Sequence, residues 1–237
     1  MKTQVLNRIW PELLYELCKR PMLEAFKAYR DELDMDIYPC ASPKARVKSP
    51  GKQPAISSWW EFNPHTCDLE KYFGAENRLC CNIGTCAKTE LKYLDLDSKS
   101  DQGASVRALI ETDPVLSRMP AHLTWGGAHL AFVCPDMPEW VKDNGRPYHD
   151  RLVAQVSDTI RAELFHCSRN NIILPPSVHL KDDFVYNWVK VGEVPIISWQ
   201  EILALYPWIV PEQTKRAPGR PKKKPPWYIA TAGSSPP

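Results

Sequence analysis

Three groups of residues carry side chains that could do chemistry. The first is Leu91-Lys92-Tyr93-Leu94-Asp95-Leu96-Asp97, an alternating segment of strand type. Residues two apart on a strand share a face, so Asp95 and Asp97 point together while Leu94 and Leu96 face a core. Adjacent carboxylates repel unless positive charge lies between them, and a hard cation such as Mg²⁺ or Mn²⁺ suits oxygen ligands of this kind. A strand end with two solvated acids before the Ser98–Gly103 turn is the competing reading of the same residues. The second group is Thr124-Trp125-Gly126-Gly127-Ala128-His129. Two glycines before a strand let backbone N–H groups approach an anion, and His129 is placed to donate to a phosphate oxygen. A packed histidine after a glycine turn is the alternative. In the third group, Glu163 is an acid within the strand-like run Ile160–Phe165, followed by Arg169 and Pro175-Pro176-Ser177-Val178-His179. The paired prolines end a strand and fix Ser177 and His179 in a rigid turn.

The elements that must position these groups are partly legible. Apolar residues from Ile9 to Tyr29 recur at helical spacing, interrupted by Pro11 and Pro21. The segment Tyr38–Pro54 is rich in proline and carries Lys44, Arg46, Lys48 and Lys52 without an acid, so it reads as a basic loop. A short helix is expected over 68–73, with Thr66 as its cap, and another over 104–111. Strands are expected over 91–97, 128–134, 171–174 and 184–191. Ser198, with Glu201 three residues later, has the pattern of a capping box opening a helix over 198–206. Mixed helices and strands of this kind make an α+β domain.

The chain has 237 residues, 43% hydrophobic and 24% charged, the composition of a globular domain with a core of its own. No apolar run approaches the ~20 residues that cross a bilayer, and the N-terminus lacks a signal segment, so the expected location is the cytoplasm. The eight cysteines are then reduced thiols or metal ligands. The net charge of +2 conceals an asymmetry: residues 213–237 hold six bases and no acid, leaving 24 bases against 28 acids elsewhere. An acidic body with a basic tail suits a polyanionic partner.

Taken in order, these features form a pattern. Asp-x-Asp on a strand, Gly-Gly-x-His before a strand, a later strand acid, then Pro-Pro-Ser-x-His and Tyr186-Asn187-Trp188 resemble the bifunctional DNA primase/polymerase (prim-pol) domain of the archaeo-eukaryotic primase superfamily. The lead-in of Ile37-Tyr38-Pro39, Gly51-Lys52-Gln53-Pro54, Trp59-Trp60 and Asn82-Ile83-Gly84 agrees, and the resemblance covers about residues 37 to 190. It implies an RRM-like catalytic sheet packed against a second small α/β unit, with the active site between them. It implies that Asp95, Asp97 and Glu163 hold Mg²⁺ or Mn²⁺ in a two-metal site, and that His129 and Arg169 contact the triphosphate, with Gly127 and Ser177 beside it. The family more often has aspartate where this chain has Glu163; Glu111 and Asp158 are the fallback acids. The implied activity is nucleotidyl transfer from NTP or dNTP, making or extending primers on single-stranded DNA in replication of a virus, plasmid or other mobile element. A helicase would come from a partner.

The organisation expected is a helical segment over 1–36, the prim-pol domain over 37–192, a helix over 193–212 and a basic Pro-rich tail over 213–237. Within the tail, Pro218-Gly219-Arg220-Pro221-Lys222-Lys223-Lys224 resembles an AT-hook, which places Arg220, Lys222, Lys223 and Lys224 on DNA. Trp59, Trp60, Trp125 and Trp227 are of the type that stacks on bases. His65, Cys67, Cys80, Cys81 and Cys86 crowd together ahead of the Asp-x-Asp strand, where a zinc element is conceivable. Their spacing is not a paired Cys-x₂-Cys pattern, and buried free thiols fit it better. The rival functions are a replication-initiator or DNA-binding module that kept the fold without catalysis, and a metal-dependent phosphoesterase.

Overall fold

The structure, a computed structural model, describes residues 13–14, 16–73, 80–87, 91–140 and 148–210, with Cys80, Cys81 and Lys99 as backbone only. It is an α+β protein with two antiparallel sheets. Helix α1 (Met22–Asp31) begins just after Pro21, whose ring is tolerated at a helix start and not within one. Strand β1 (Ile37–Ala41) follows, then short helix α2 (Leu69–Phe73) and strands β2 (Cys80–Cys86) and β3 (Leu91–Asp97). Helix α3 (Ala104–Thr112) leads to β4 (Ala121–Leu123), β5 (Gly127–Val133), β6 (Leu152–Gln155), β7 (Arg161–Phe165), β8 (Asn171–Leu174) and β9 (Asn187–Lys190). Helix α4 (Trp199–Leu205) closes the described chain, and its expected capping box is present: Ser198 and Glu201 each satisfy the other's backbone N–H.

The larger sheet runs β6-β7-β3-β5-β4-β9 and the smaller β1-β2-β8. One face of the larger sheet is apolar. Leu94, Leu96, Leu130, Phe132, Ala162 and Leu164 pack there against Val106 and Ile110 of α3 and Ile202 of α4. Each such fully buried aliphatic side chain contributes ~1.5–3 kcal/mol, which pins the strand alternation. On the opposite face Tyr93, Ala131 and Phe165 meet Ile172 of the smaller sheet. Helix α1 wedges beside them, joining Phe26 and Tyr29 to Ile37, Ile83, Leu174 and Trp188. Helix α1 is thus packed into the same core as the sheets.

The segment expected to be a loop over 38–54 opens with β1, every residue of which is buried. Its remainder folds back along that strand, with Ala41 N–H donating to Gln53 and Ala55 N–H to Pro39. Asn82 Nδ2 donates to Gly51 O and Asn171 Nδ2 to Lys52 O, so the basic turn is tied down to two strands of the smaller sheet. Thr66 does not cap α2; it ends a 3₁₀ turn whose first N–H is capped by Asn63.

Gly127 is set by close backbone packing. A Cβ built there would lie 1.8 Å from Leu96 O, and one on Gly103, whose φ is +78°, would lie 2.8 Å from Gly127 N. The turn after β3 therefore seats directly on the start of β5. Gly127→Ala is expected to destabilise the fold by at least about 3 kcal/mol. Gly192→Ala, with nothing within 4 Å of its Cβ, should change stability by less than about 0.5 kcal/mol. Urea unfolding of the two variants checks this, and equal stability would contradict the packing described.

Candidate active site

The register of the larger sheet builds the site. Asp95 on β3 pairs with His129 on β5 and, on the other side, with Glu163 on β7. Directly opposed residues of paired strands share a face, so the three side chains stand abreast. The row continues beyond His129 to His122 on β4 and Trp188 on β9. Asp97, two residues on, falls between Gly127 and Arg161. Leu94 and Leu96 hold the other face down, so the carboxylates have no choice of side.

His129 Nε2 lies 3.5 Å from Asp95 Oδ1. The Asp95 side chain is one-fifth exposed. Burial works against its ionisation, yet His129, Lys52 and Arg151 together outweigh that and hold its carboxyl below the usual range. Asp95 is therefore a carboxylate at neutral pH. Glu163 is gripped from two sides: Arg151 Nη1 donates to Oε2, and Arg161 Nη2 lies 3.0 Å from Oε1. Charge-assisted pairs of this kind fix the carboxylate's orientation. By type and register Asp95, Asp97 and Glu163 are a set of hard oxygen donors suited to a divalent cation. Among the described residues, no three His, Cys, Asp or Glu side chains stand ready as a metal cage. Both Glu163 oxygens are taken by guanidiniums in this arrangement.

Beside Glu163 opens a cleft of about 400 Å³ between the two sheets, lined by Arg151, Arg161, Arg169, Asn170 and Asn171 among others. Arg169 is exposed there, its guanidinium 4.4 Å from the ring centre of Trp60. On the other side of the row, Lys181 lies over Trp125 at 4.0 Å, and His179 stacks parallel to the same indole. Burial, with Lys52 and Lys181 nearby, pushes the His179 imidazole down to about 4.

Asp95, Asp97, Glu163 and His129 come together on one face, with Arg169 at the cleft beside them. Ser177 does not join them. It is fully buried, and its hydroxyl accepts from Ile83 N–H at 2.8 Å, strapping the turn after the cis Pro175–Pro176 bond to β2. Gly127 is explained by its contact with Leu96. The fallback acids lie elsewhere: Glu111 is exposed on α3, on the helical side of the sheet, and Asp158 is exposed in the turn from β6 to β7. Cys40, Cys86 and Cys134 are buried, and Cys18, Cys67 and Cys167 are partly buried. The side chains of Cys80 and Cys81, and Arg220, Lys222, Lys223, Lys224 and Trp227, lie outside the described residues.

Sequence reasoning passed over His122, Arg151 and Arg161. Arg161 shares strand and face with Glu163, so alternation alone could have found it. His122 and Arg151 reach the site only through pairings between distant segments, and no local pattern marks them.

The fold and row define an α+β protein that sets acidic strand residues within basic surroundings. The chain belongs to the Prim-Pol family, bifunctional DNA primase/polymerase N-terminal domains, whose family model matches residues 26–201. The match begins inside α1 and ends inside α4, and its family is one of DNA primase/polymerase-type nucleotidyltransferases. No curated protein matches the chain. Among the described residues no helix is long and apolar enough to cross a membrane.

Three histidines near the site are held low by burial first: His122 well below its ordinary value, His166 below it, and His179 at about 4. A base whose folded-state value is depressed favours the fold only while it is neutral. The unfolded chain takes up these protons first, so stability is full above about pH 6.5 and falls as pH drops from there toward 4. Urea midpoints measured across that window should decline with acidity, and less steeply in His179→Gln. A flat profile would contradict the burial of these rings.

Proposed function

We propose that this chain is a metal-dependent DNA primase/polymerase that makes or extends primers on single-stranded DNA from nucleoside triphosphates. The register that sets His129, Asp95 and Glu163 abreast supports this reading most directly. Asp95 and Asp97, joined by Glu163, would hold Mg²⁺ or Mn²⁺. An ion held by these residues would supply charge neutralisation at the reacting phosphate and the leaving pyrophosphate. The protein's own part is to position and to supply charge. His129 directs a ring N–H at a phosphate oxygen from beside the carboxylates. Asp95 is already ionised and needs no deprotonation. Arg151, Arg161 and Arg169 offer guanidiniums along the cleft to the phosphates of substrate or strand, and phosphates bound there would free Glu163 for its role beside Asp95. Trp60 with Arg169 and Trp125 with Lys181 present paired aromatic and cationic groups of the kind on which unpaired bases stack. The basic residues Arg220, Lys222, Lys223 and Lys224 would add salt-dependent affinity for DNA, and a helicase would serve as replication partner on a mobile element.

A non-catalytic DNA-binding module is the second reading, favoured by one observation: Glu163 is paired with two arginines. Incorporation of labelled nucleotides on primed and unprimed single-stranded DNA with Mg²⁺ or Mn²⁺ separates the two. Wild type should form products and Asp95→Ala/Asp97→Ala should lose at least about 10³-fold in rate, while binding DNA as before. DNA binding without products in any lane, or products retained in the double variant, would overturn the proposal.

A further inference from the structure

His122 is fully buried and lies directly opposite His129 across the β4–β5 pair. Its Nε2 is 2.9 Å from His129 Nδ1 and 3.0 Å from the carbonyl oxygen of Ile173. Its Nδ1 is buried with no hydrogen-bond partner. A carbonyl oxygen only accepts, so the hydrogen of His122 sits on Nε2. The other tautomer would face one lone pair with another at Ile173 and bury an N–H without an acceptor, the costlier of the two arrangements. An unpartnered lone pair at Nδ1 is the milder defect. With Nε2–H on His122, the atom facing it, Nδ1 of His129, must present its own lone pair. The hydrogen of His129 is then on Nε2, the nitrogen turned toward Asp95.

We propose that His122 is a positioning residue that fixes the tautomer and ring orientation of His129, so that His129 Nε2–H faces the carboxylate row as a donor. The inference deepens the proposed function, since the donor so fixed is the one offered to the triphosphate. His122 is itself held in place. Trp188 meets its ring edge-on at 4.7 Å between centres, and Trp188 Nε1 donates to Tyr29 Oη at 2.9 Å. A line of contacts thus runs from helix α1 through Tyr29, Trp188 and His122 to His129.

The test begins with the wild-type full chain labelled with ¹⁵N in its histidines. Long-range proton–nitrogen spectra at neutral pH should show His129 Nδ1 as an unprotonated ring nitrogen and Nε2 as a protonated one. A protonated Nδ1 on neutral His129 would overturn the proposal without any variant being made. His122→Gln keeps a donor near the Nε2 position, whereas His122→Phe keeps the ring volume and removes the donor. In His122→Phe the two His129 tautomers should mix, and the KM for nucleotide should rise about tenfold or more with kcat changed less. His122→Gln should recover most of both effects, which a merely space-filling role would not produce. An unmixed tautomer in a folded His122→Phe variant would also overturn it. If the spectra hold while the wild type incorporates no nucleotide, the proposed function fails and the role of His122 stands.

Discussion

Everything at the site rests on the alignment of three antiparallel strands. Asp95 is opposite His129 on one side and Glu163 on the other, and a shift of one residue in either pairing would send a partner into the helical core. The register is set by apolar side chains on the far face and by the turn after β3. Asp101 closes that turn, accepting from Ser98 Oγ and from the N–H groups of Gly103 and Ser105. Ser98 N–H in turn donates to Gly126 O, which stitches the end of β3 to the start of β5. The chemistry of the site is thus positioned by residues that take no part in it.

The second constraint is charge. Carboxylates placed side by side within a partly buried sheet need compensation, and the chain draws it from four separate segments. His129 and Lys52 act on Asp95, and Arg151 acts on both Asp95 and Glu163. Arg161 completes the pairing of Glu163. The basic turn carrying Lys52 is tethered by Asn82 and Asn171 of the smaller sheet, so that sheet contributes to the electrostatics of the larger one. Arg151 and Arg161 also line the cleft, where with Arg169 they favour a polyanion.

How much of this was legible varied with how local the cause is. Asp95 and Asp97 stood out because Leu94 and Leu96 alternate with them and need only neighbours in sequence. The capping box of α4 was readable for the same reason. Strand β1 was hidden by Pro39 and by the basic residues after it, and its complete burial comes from contacts far along the chain. Strand β2 reads poorly because Cys-Cys-Asn-Ile-Gly-Thr-Cys lacks alternation. Its Gly84 is required by Tyr38, whose ring would come within 2.4 Å of any added Cβ. Ser177 looked like a ligand because a hydroxyl in a turn carries no sign of its burial. His122 is the clearest case of non-local design: only strand pairing reveals that it backs His129.

On the proposed function the acidic row becomes a divalent-cation site completed by a triphosphate. Electron paramagnetic resonance titration of Mn²⁺ into the full chain, with and without a non-hydrolysable nucleoside triphosphate, tests it most directly. Mn²⁺ binding should be saturable, tighten with the triphosphate and weaken in Asp95→Asn and in Glu163→Gln. Mn²⁺ binding indifferent to the triphosphate and to both substitutions would contradict it.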